Sequence, residues 1–125
     1  MPVAARMALK RVGINTCERL LAEAGKAQAR ERLAARTGID PELLLRLVQR
    51  ADLARVKGVG AVFGMMLEDL GIREVRALAR QDPRALHAAL KRLNEEERLA
   101  RRAPTPEEVA DWIAQARALP LLLET

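Results

Sequence analysis

Residues 56–60 read Val56-Lys57-Gly58-Val59-Gly60 and separate two stretches whose apolar residues recur at helical spacing. The two glycines permit backbone conformations that a Cβ would exclude, and the valine between them is an apolar plug for the core. Apolar residues that should lie on the buried side flank this turn: Leu53, Val56, Met66, Leu67 and Leu70. The pattern predicts a helix, a tight turn and a second helix.

The composition indicates an all-α protein. The 125 residues include 23 Ala, 20 Leu and 18 Arg, which favour helix, while aromatic residues make up 2 %. A single Cys excludes an internal disulfide, and one Cys with one His cannot form a zinc site by themselves. We therefore expect no metal and no cofactor. The uncharged stretch 59–67 is too short to cross a bilayer, and the charged N-terminus does not resemble a signal peptide. These features predict a cytoplasmic protein without membrane association.

Helix boundaries follow from capping residues. Asp40-Pro41, Asp82-Pro83 and Thr105-Pro106 each place a side-chain acceptor before a proline at the first helical position. Glycines at positions 13, 25, 38 and 71 are expected to end helices in the left-handed conformation. The sequence thus predicts a compact bundle of about eight short helices, at 3–12, 16–24, 27–37, 41–54, 61–70, 74–80, 83–94 and 106–118.

The sequence also contains a short internal repeat. A shift of 58 residues places Met7, Leu9, Gly13, Ile14, Cys17 and Leu20 on Met65, Leu67, Gly71, Ile72, Val75 and Leu78. We therefore expect one domain over 1–125, with a first copy at about 1–40, a bridging helix at 41–54, a second copy at about 41–103, and a final helix at 106–118 with a tail. The same shift places Gly60 on Pro2, so the first copy lacks the glycine turn.

Positive charge is concentrated in the first half, where residues 1–60 carry a net charge of +6 and residues 61–125 a net charge of −1. Free N–H groups at a helix start bind anions, and a DNA phosphate suits them. The candidate DNA-binding residues are therefore Arg55, Lys57, Gly58, Val59, Gly60 and Ala61. A secondary basic patch is expected from Arg46, Arg50, Lys91, Arg92, Arg98, Arg101 and Arg102, which would add salt-dependent, sequence-independent affinity for duplex DNA. No aromatic residues are interleaved with these charges, which argues against base stacking.

The turn resembles the helix-hairpin-helix motif, whose pattern of apolar-x-Gly-apolar-Gly falls on Gly58, Val59 and Gly60. Further stretches extend the resemblance to most of the chain: 51–60, 67–72, 94–96, 101–105, Val109, 111–113 and 116–120. Together they are similar to the domain of unknown function 4332 family of bacteria and archaea. The resemblance implies tandem helix-hairpin-helix units in a pseudo-twofold, SAM-like fold, with a DNA-binding role and no established reaction. Ala61, Val62 and Phe63 depart from the Lys or Arg that DNA-binding members often place after the hairpin.

Other hypotheses were weighed against DNA binding. A protein-interaction or scaffolding module would keep the fold without the ligand, and the apolar tail Leu119–Leu123 would cover the core or bind a partner or a second copy. Asp82 lies 22 residues after Gly60, as a catalytic Asp does in helix-hairpin-helix glycosylases, but it is explained as a helix cap. Cys17 is expected to be a buried small hydrophobe, and His87 has no partner at catalytic spacing. We therefore expect a protein that is not an enzyme.

Overall fold

A computed structural model of the protein describes residues 2–125. Eight α-helices account for most of these residues. In chain order they are α1 (Val3–Arg11), α2 (Cys17–Ala24), α3 (Ala27–Thr37), α4 (Pro41–Leu53), α5 (Gly60–Asp69), α6 (Val75–Ala79), α7 (Pro83–Glu97) and α8 (Pro106–Ala118). Residues 2–125 contain no strand. The all-α prediction is confirmed.

The predicted N-terminal caps are present. The side chain of Asp82 accepts a hydrogen bond from the Ala85 N–H at 2.9 Å, and that of Asp40 accepts from two N–H groups in the first turn of α4. Thr105 and Glu108 form a reciprocal capping box at the start of α8. Each bond satisfies a donor that a helix cannot pair internally, which fixes where these helices begin.

The helix ends differ from the prediction in two places. Gly13, Gly38 and Gly71 have the expected positive φ, but Gly25 has φ −66°, so a left-handed end there is wrong. Glycine is required at position 25 because there is no room for a side chain: a Cβ would lie 2.3 Å from the Leu122 backbone oxygen. Helix α7 continues to Glu97, three residues beyond the predicted end, and stops where Arg98 adopts φ 52°.

The chain divides into two compact units. The N-terminal unit comprises the described part of Met1–Asp52 together with Leu122–Thr125. Its apolar core is formed by α1 to α4 and is completed by Leu123 from the C-terminal tail. The Glu124 N–H donates to the Gly25 carbonyl at 2.8 Å, and the Glu124 carboxylate accepts from the Ala27 N–H at 2.9 Å. Part of the apolar tail therefore covers this core.

The central unit, Leu53–Leu121, contains α5 to α8 and a second apolar core. Helix α8 packs against α6 and α7, and Trp112 on α8 is 1 % exposed, as its helical spacing predicts. Met66 and Leu67 are buried as expected, whereas Leu70 is exposed beyond the last turn of α5. The division falls after Asp52, near the end of the predicted bridging helix. The arrangement as two related copies in one domain remains a prediction.

Candidate nucleic-acid interface

The glycine turn has the backbone conformation that its sequence predicts. Gly58 has φ +95° and Gly60 has φ +67°, both in the region that favours glycine. Val59 between them is 3 % exposed and belongs to the core of the central unit with Leu53 and Val56. The valine therefore anchors the turn, and α5 begins at Gly60.

Trp112 forms the floor beneath the turn. A Cβ on Gly58 would lie 3.3 Å from the indole Nε1, so the second reason for glycine here is close approach. The indole also packs against Phe63 of α5, with ring centroids 5.3 Å apart and an angle of 48° between the ring planes. The turn and the first turn of α5 thus rest on one aromatic pair.

Gln115 on α8 holds the turn from the side. Its Oε1 accepts from the Lys57 N–H at 2.8 Å, and its Nε2 donates to the Lys57 carbonyl at 2.9 Å. Nε2 also donates to the Asp111 carboxylate at 2.8 Å. Sequence reasoning missed Gln115, because nothing in the local pattern of α8 distinguishes it from a solvent-facing glutamine. The Lys57 N–H is consequently occupied by protein.

Other N–H groups, on exposed residues of the turn and at the start of α5, have no such partner. Within residues 2–125, the N–H groups of Gly58, Gly60 and Ala61 donate no hydrogen bond, and Val59 supplies no side-chain cap to α5. The first turn of α5 also lacks an acidic residue. All three residues are exposed, so unpaired donors at the positive end of a helix dipole face solvent. This arrangement can bind an anion.

The two cations nearest to the unpaired N–H groups in sequence differ in their contacts. Lys57 is exposed and directly precedes the first of the unpaired N–H groups in the chain. Arg55 is half-buried and its Nη2 donates to the Pro120 carbonyl at 2.6 Å. Arg55 therefore fastens the segment after α8 to the turn, and Lys57 is the cation offered to a ligand.

The predicted secondary basic patch is distributed over both units. Arg46 and Arg50 lie exposed on α4 in the N-terminal unit, whereas the others belong to the central unit. There, exposed cations occupy the end of α7 and the segment before α8: Lys91, Arg92, Arg98, Arg101 and Arg102. The structure therefore groups five of the seven residues within one unit.

Arg102 is already paired. Its guanidinium donates to both carboxylate oxygens of Glu108, at 2.6 and 3.3 Å, and lies 5.9 Å from the centroid of the Phe63 ring. The bond from Arg102, with a further one from the Thr105 N–H, lowers the pKa of Glu108 to about 2. Arg102 thus links the segment before α8 to the capping box, and its charge is already paired with that of Glu108.

This network predicts a pH-dependent contribution to stability. Because the Glu108 pKa is lower in the folded state, the contribution is complete above the ordinary glutamate pKa and is lost as the pH falls towards about 2. Glu108→Gln keeps a capping group but loses the charge, so it should lower the free energy of unfolding by about 1 kcal/mol or less at pH 6. Urea titrations should show the difference from wild type shrinking by pH 3. Glu107→Gln is the matched control, and an equal effect there would contradict the assignment to Glu108.

Helix α5 presents apolar side chains to solvent directly after the turn. Val62 is 42 % exposed and Met65 is 44 % exposed. Val62 is one of the three positions at which the family resemblance leads us to expect Lys or Arg. Single apolar residues are common on protein surfaces, but two on one short helix form a small exposed apolar patch.

Several remaining predictions concern possible chemistry. Asp82 caps α7, as predicted. The expectation that Cys17 is buried is wrong: the thiol is exposed at the first residue of α2. No cluster of three or more His, Cys, Asp or Glu side chains within residues 2–125 is placed to hold a metal ion. Among the helices of this range, none has the length and hydropathy to span a membrane.

One comparison with known proteins agrees with the extent of the resemblance. The model of a family described as Domain of unknown function (DUF4332) matches residues 2–119. Comparison with curated proteins and with solved structures gives no match.

Proposed function

Starting from the fact that the chain belongs to the domain of unknown function 4332 family, we propose that it is a non-catalytic helix-hairpin-helix module that binds duplex DNA without sequence preference. The observation that carries the proposal is the set of unpaired N–H groups on Gly58, Gly60 and Ala61 at the start of α5. Their ligand would be a phosphate of the DNA backbone, which gives position without reading bases.

The surroundings of these N–H groups favour an anion over other ligands. Lys57 adds a mobile positive charge, and the first turn of α5 carries no carboxylate that would repel a phosphate. The turn is held by the buried Val59 and by the two hydrogen bonds between Lys57 and Gln115, so the donors are preorganised. Arg98 and Arg101, the basic residues between α7 and α8 other than the paired Arg102, would extend the contact along the DNA backbone.

The affinity should be low and depend strongly on salt. The chain has a single glycine turn, and Ala61, Val62 and Phe63 contribute no charge where the helix leaves it. Because the module would make few phosphate contacts, it would bind DNA only at low ionic strength, or with the help of a second copy or a partner. The family resemblance implies a bacterial or archaeal cell, in which DNA lies in the cytoplasm, so a DNA ligand would place the module there.

The proposal predicts that Ala61→Glu weakens DNA binding without harming the fold. A carboxylate in the first turn of α5 would repel phosphate, yet it would stabilise the helix by about 0.3–1 kcal/mol through the helix dipole. Lys57→Gln should reduce the slope of log affinity against log salt by about 0.9, because it removes one phosphate contact. Both effects can be measured by fluorescence anisotropy of a labelled duplex over a salt series.

The matched control is Ala110→Glu, which places the same charge at an exposed position on α8, away from the candidate DNA-binding residues in sequence. It should change the affinity much less than Ala61→Glu does. If the two variants weaken binding equally, only net charge matters and the turn is not the site. If wild type binds no duplex at low salt, the DNA proposal is wrong.

A protein-interaction module is the second candidate, and the exposed Val62 and Met65 favour it. These side chains lie beside the turn on α5, and burying their apolar surface against a partner protein or a second copy would favour association. Absence of duplex binding, together with self-association that is lost when Met65 is replaced by a charged residue, would support this candidate.

A further inference from the structure

A cavity lies within the N-terminal unit, between α1, α2 and α4. Its volume is about 680 Å³, and its floor consists of apolar side chains from all three helices and the loop after α1: Leu9, Ile14, Leu20, Leu47 and Ala51. Cavities of about 300–1,000 Å³ lined mainly by apolar groups are typical of small-molecule sites. This one is separate from the candidate DNA site, which lies in the central unit.

The rim of this cavity is positively charged. Arg6 and Lys10 on α1 and Arg50 on α4 line the cavity and are exposed, so we place them at its rim, and the described residues that line it include no Asp or Glu. Arg6 and Lys10 form no ion pair within residues 2–125 and are exposed. The polar groups of Asn15 and Thr16 complete the edge. An apolar floor with a cationic rim complements a molecule that has an apolar body and a single anionic head.

Cys17 forms part of the cavity wall. The internal repeat pairs it with Val75, which is 1 % exposed in the core of the central unit. At the corresponding position of the N-terminal unit the side chain is exposed, so the two copies differ at the cavity. Cys17 is also the single cysteine of the sequence, which makes it a reporter of occupancy.

We propose that this cavity binds a small amphiphilic anion, with an acyl or similarly apolar body on the floor and a carboxylate or phosphate monoester head between Arg6 and Lys10. Inorganic phosphate and DNA leave the floor exposed to water, and a cationic amphiphile meets like charge at the rim. The chemistry of the head group, carboxylate or phosphate, is resolved by testing both.

The test measures alkylation of Cys17 by iodoacetamide, a neutral reagent, with mass spectrometry as the readout. Decanoate and decyl phosphate, each below its micelle concentration, should slow alkylation about tenfold once the ligand exceeds its Kd about tenfold. Acetate, inorganic phosphate and decyltrimethylammonium should have little effect. The double variant Arg6→Glu, Lys10→Glu should weaken protection by decanoate about five- to tenfold, because both favourable charge pairs become repulsive.

Arg11→Glu is the matched control, since Arg11 is an exposed cation of α1 that does not line the cavity. It should leave the protection nearly unchanged. A second readout is to titrate the Cys17→Ser variant with decanoate and monitor its amide chemical shifts. The largest shift changes are expected for residues of the cavity walls. Equal protection by decyltrimethylammonium, protection by an acidic peptide or duplex DNA alone, or equal loss in Arg11→Glu would each overturn the proposal.

Discussion

Trp112→Ala is expected to lower the free energy of unfolding of the central unit by about 3–5 kcal/mol. The indole is 1 % exposed and contacts Phe63 and the underside of Gly58, so its removal opens a cavity beneath the turn as well as in the core. The turn would lose its floor, and α8 would lose its largest buried side chain. Urea unfolding followed by far-ultraviolet circular dichroism measures the loss.

Trp112→Phe is the control for this prediction. Phenylalanine keeps most of the apolar contact, so it should cost about half as much as alanine or less. A loss below about 1 kcal/mol for Trp112→Ala would contradict a central role for the indole, because buried aromatic residues rarely tolerate such a truncation.

Gly25→Ala is expected to destabilise the N-terminal unit by about 3 kcal/mol. The added Cβ would lie 2.3 Å from the Leu122 backbone oxygen and 2.7 Å from the Leu21 backbone oxygen, and backbone atoms cannot move aside cheaply. The tail would be displaced, with loss of the Glu124 bond to Gly25 and of the buried Leu123. Thermal and urea unfolding both report the change.

Gly38→Ala separates crowding from backbone strain. Its φ is +73° and a Cβ there meets no atom within 4 Å, so only strain of about 1–2 kcal/mol should appear. A Gly25→Ala variant no less stable than Gly38→Ala would show that the tail yields without cost. Protection of residues 122–125 from proteolysis in wild type, lost in Gly25→Ala, would link the destabilisation to the tail.

Local signals allowed the helices and the turn to be predicted. Thr105 with Glu108, and Asp82 before Pro83, are capping patterns that depend on residues three apart, so the sequence contains all the information they need. The alternation of glycine and valine at 58–60 likewise indicates its own conformation. Gly25 shows the limit of this reasoning, because its requirement comes from the distant Leu122.

The features that sequence reasoning missed depend on long-range contacts. Gln115 binds Lys57 from 58 residues away, and Arg55 binds Pro120 from 65 residues away. Cys17 was expected to be buried by comparison with Val75, but burial depends on what packs against a position and not on the position's own residue type. The cavity beside Cys17 could therefore be found only in the structure.

The returning tail has a consequence for synthesis of the chain. Domains generally fold as units, beginning with the N-terminal one as it leaves the ribosome. Here Leu123 and Glu124, which complete the N-terminal unit, are translated only after every residue of the central unit. The central unit therefore has all of its residues available before the N-terminal unit does, although its own residues follow those of α1 to α4 in the chain.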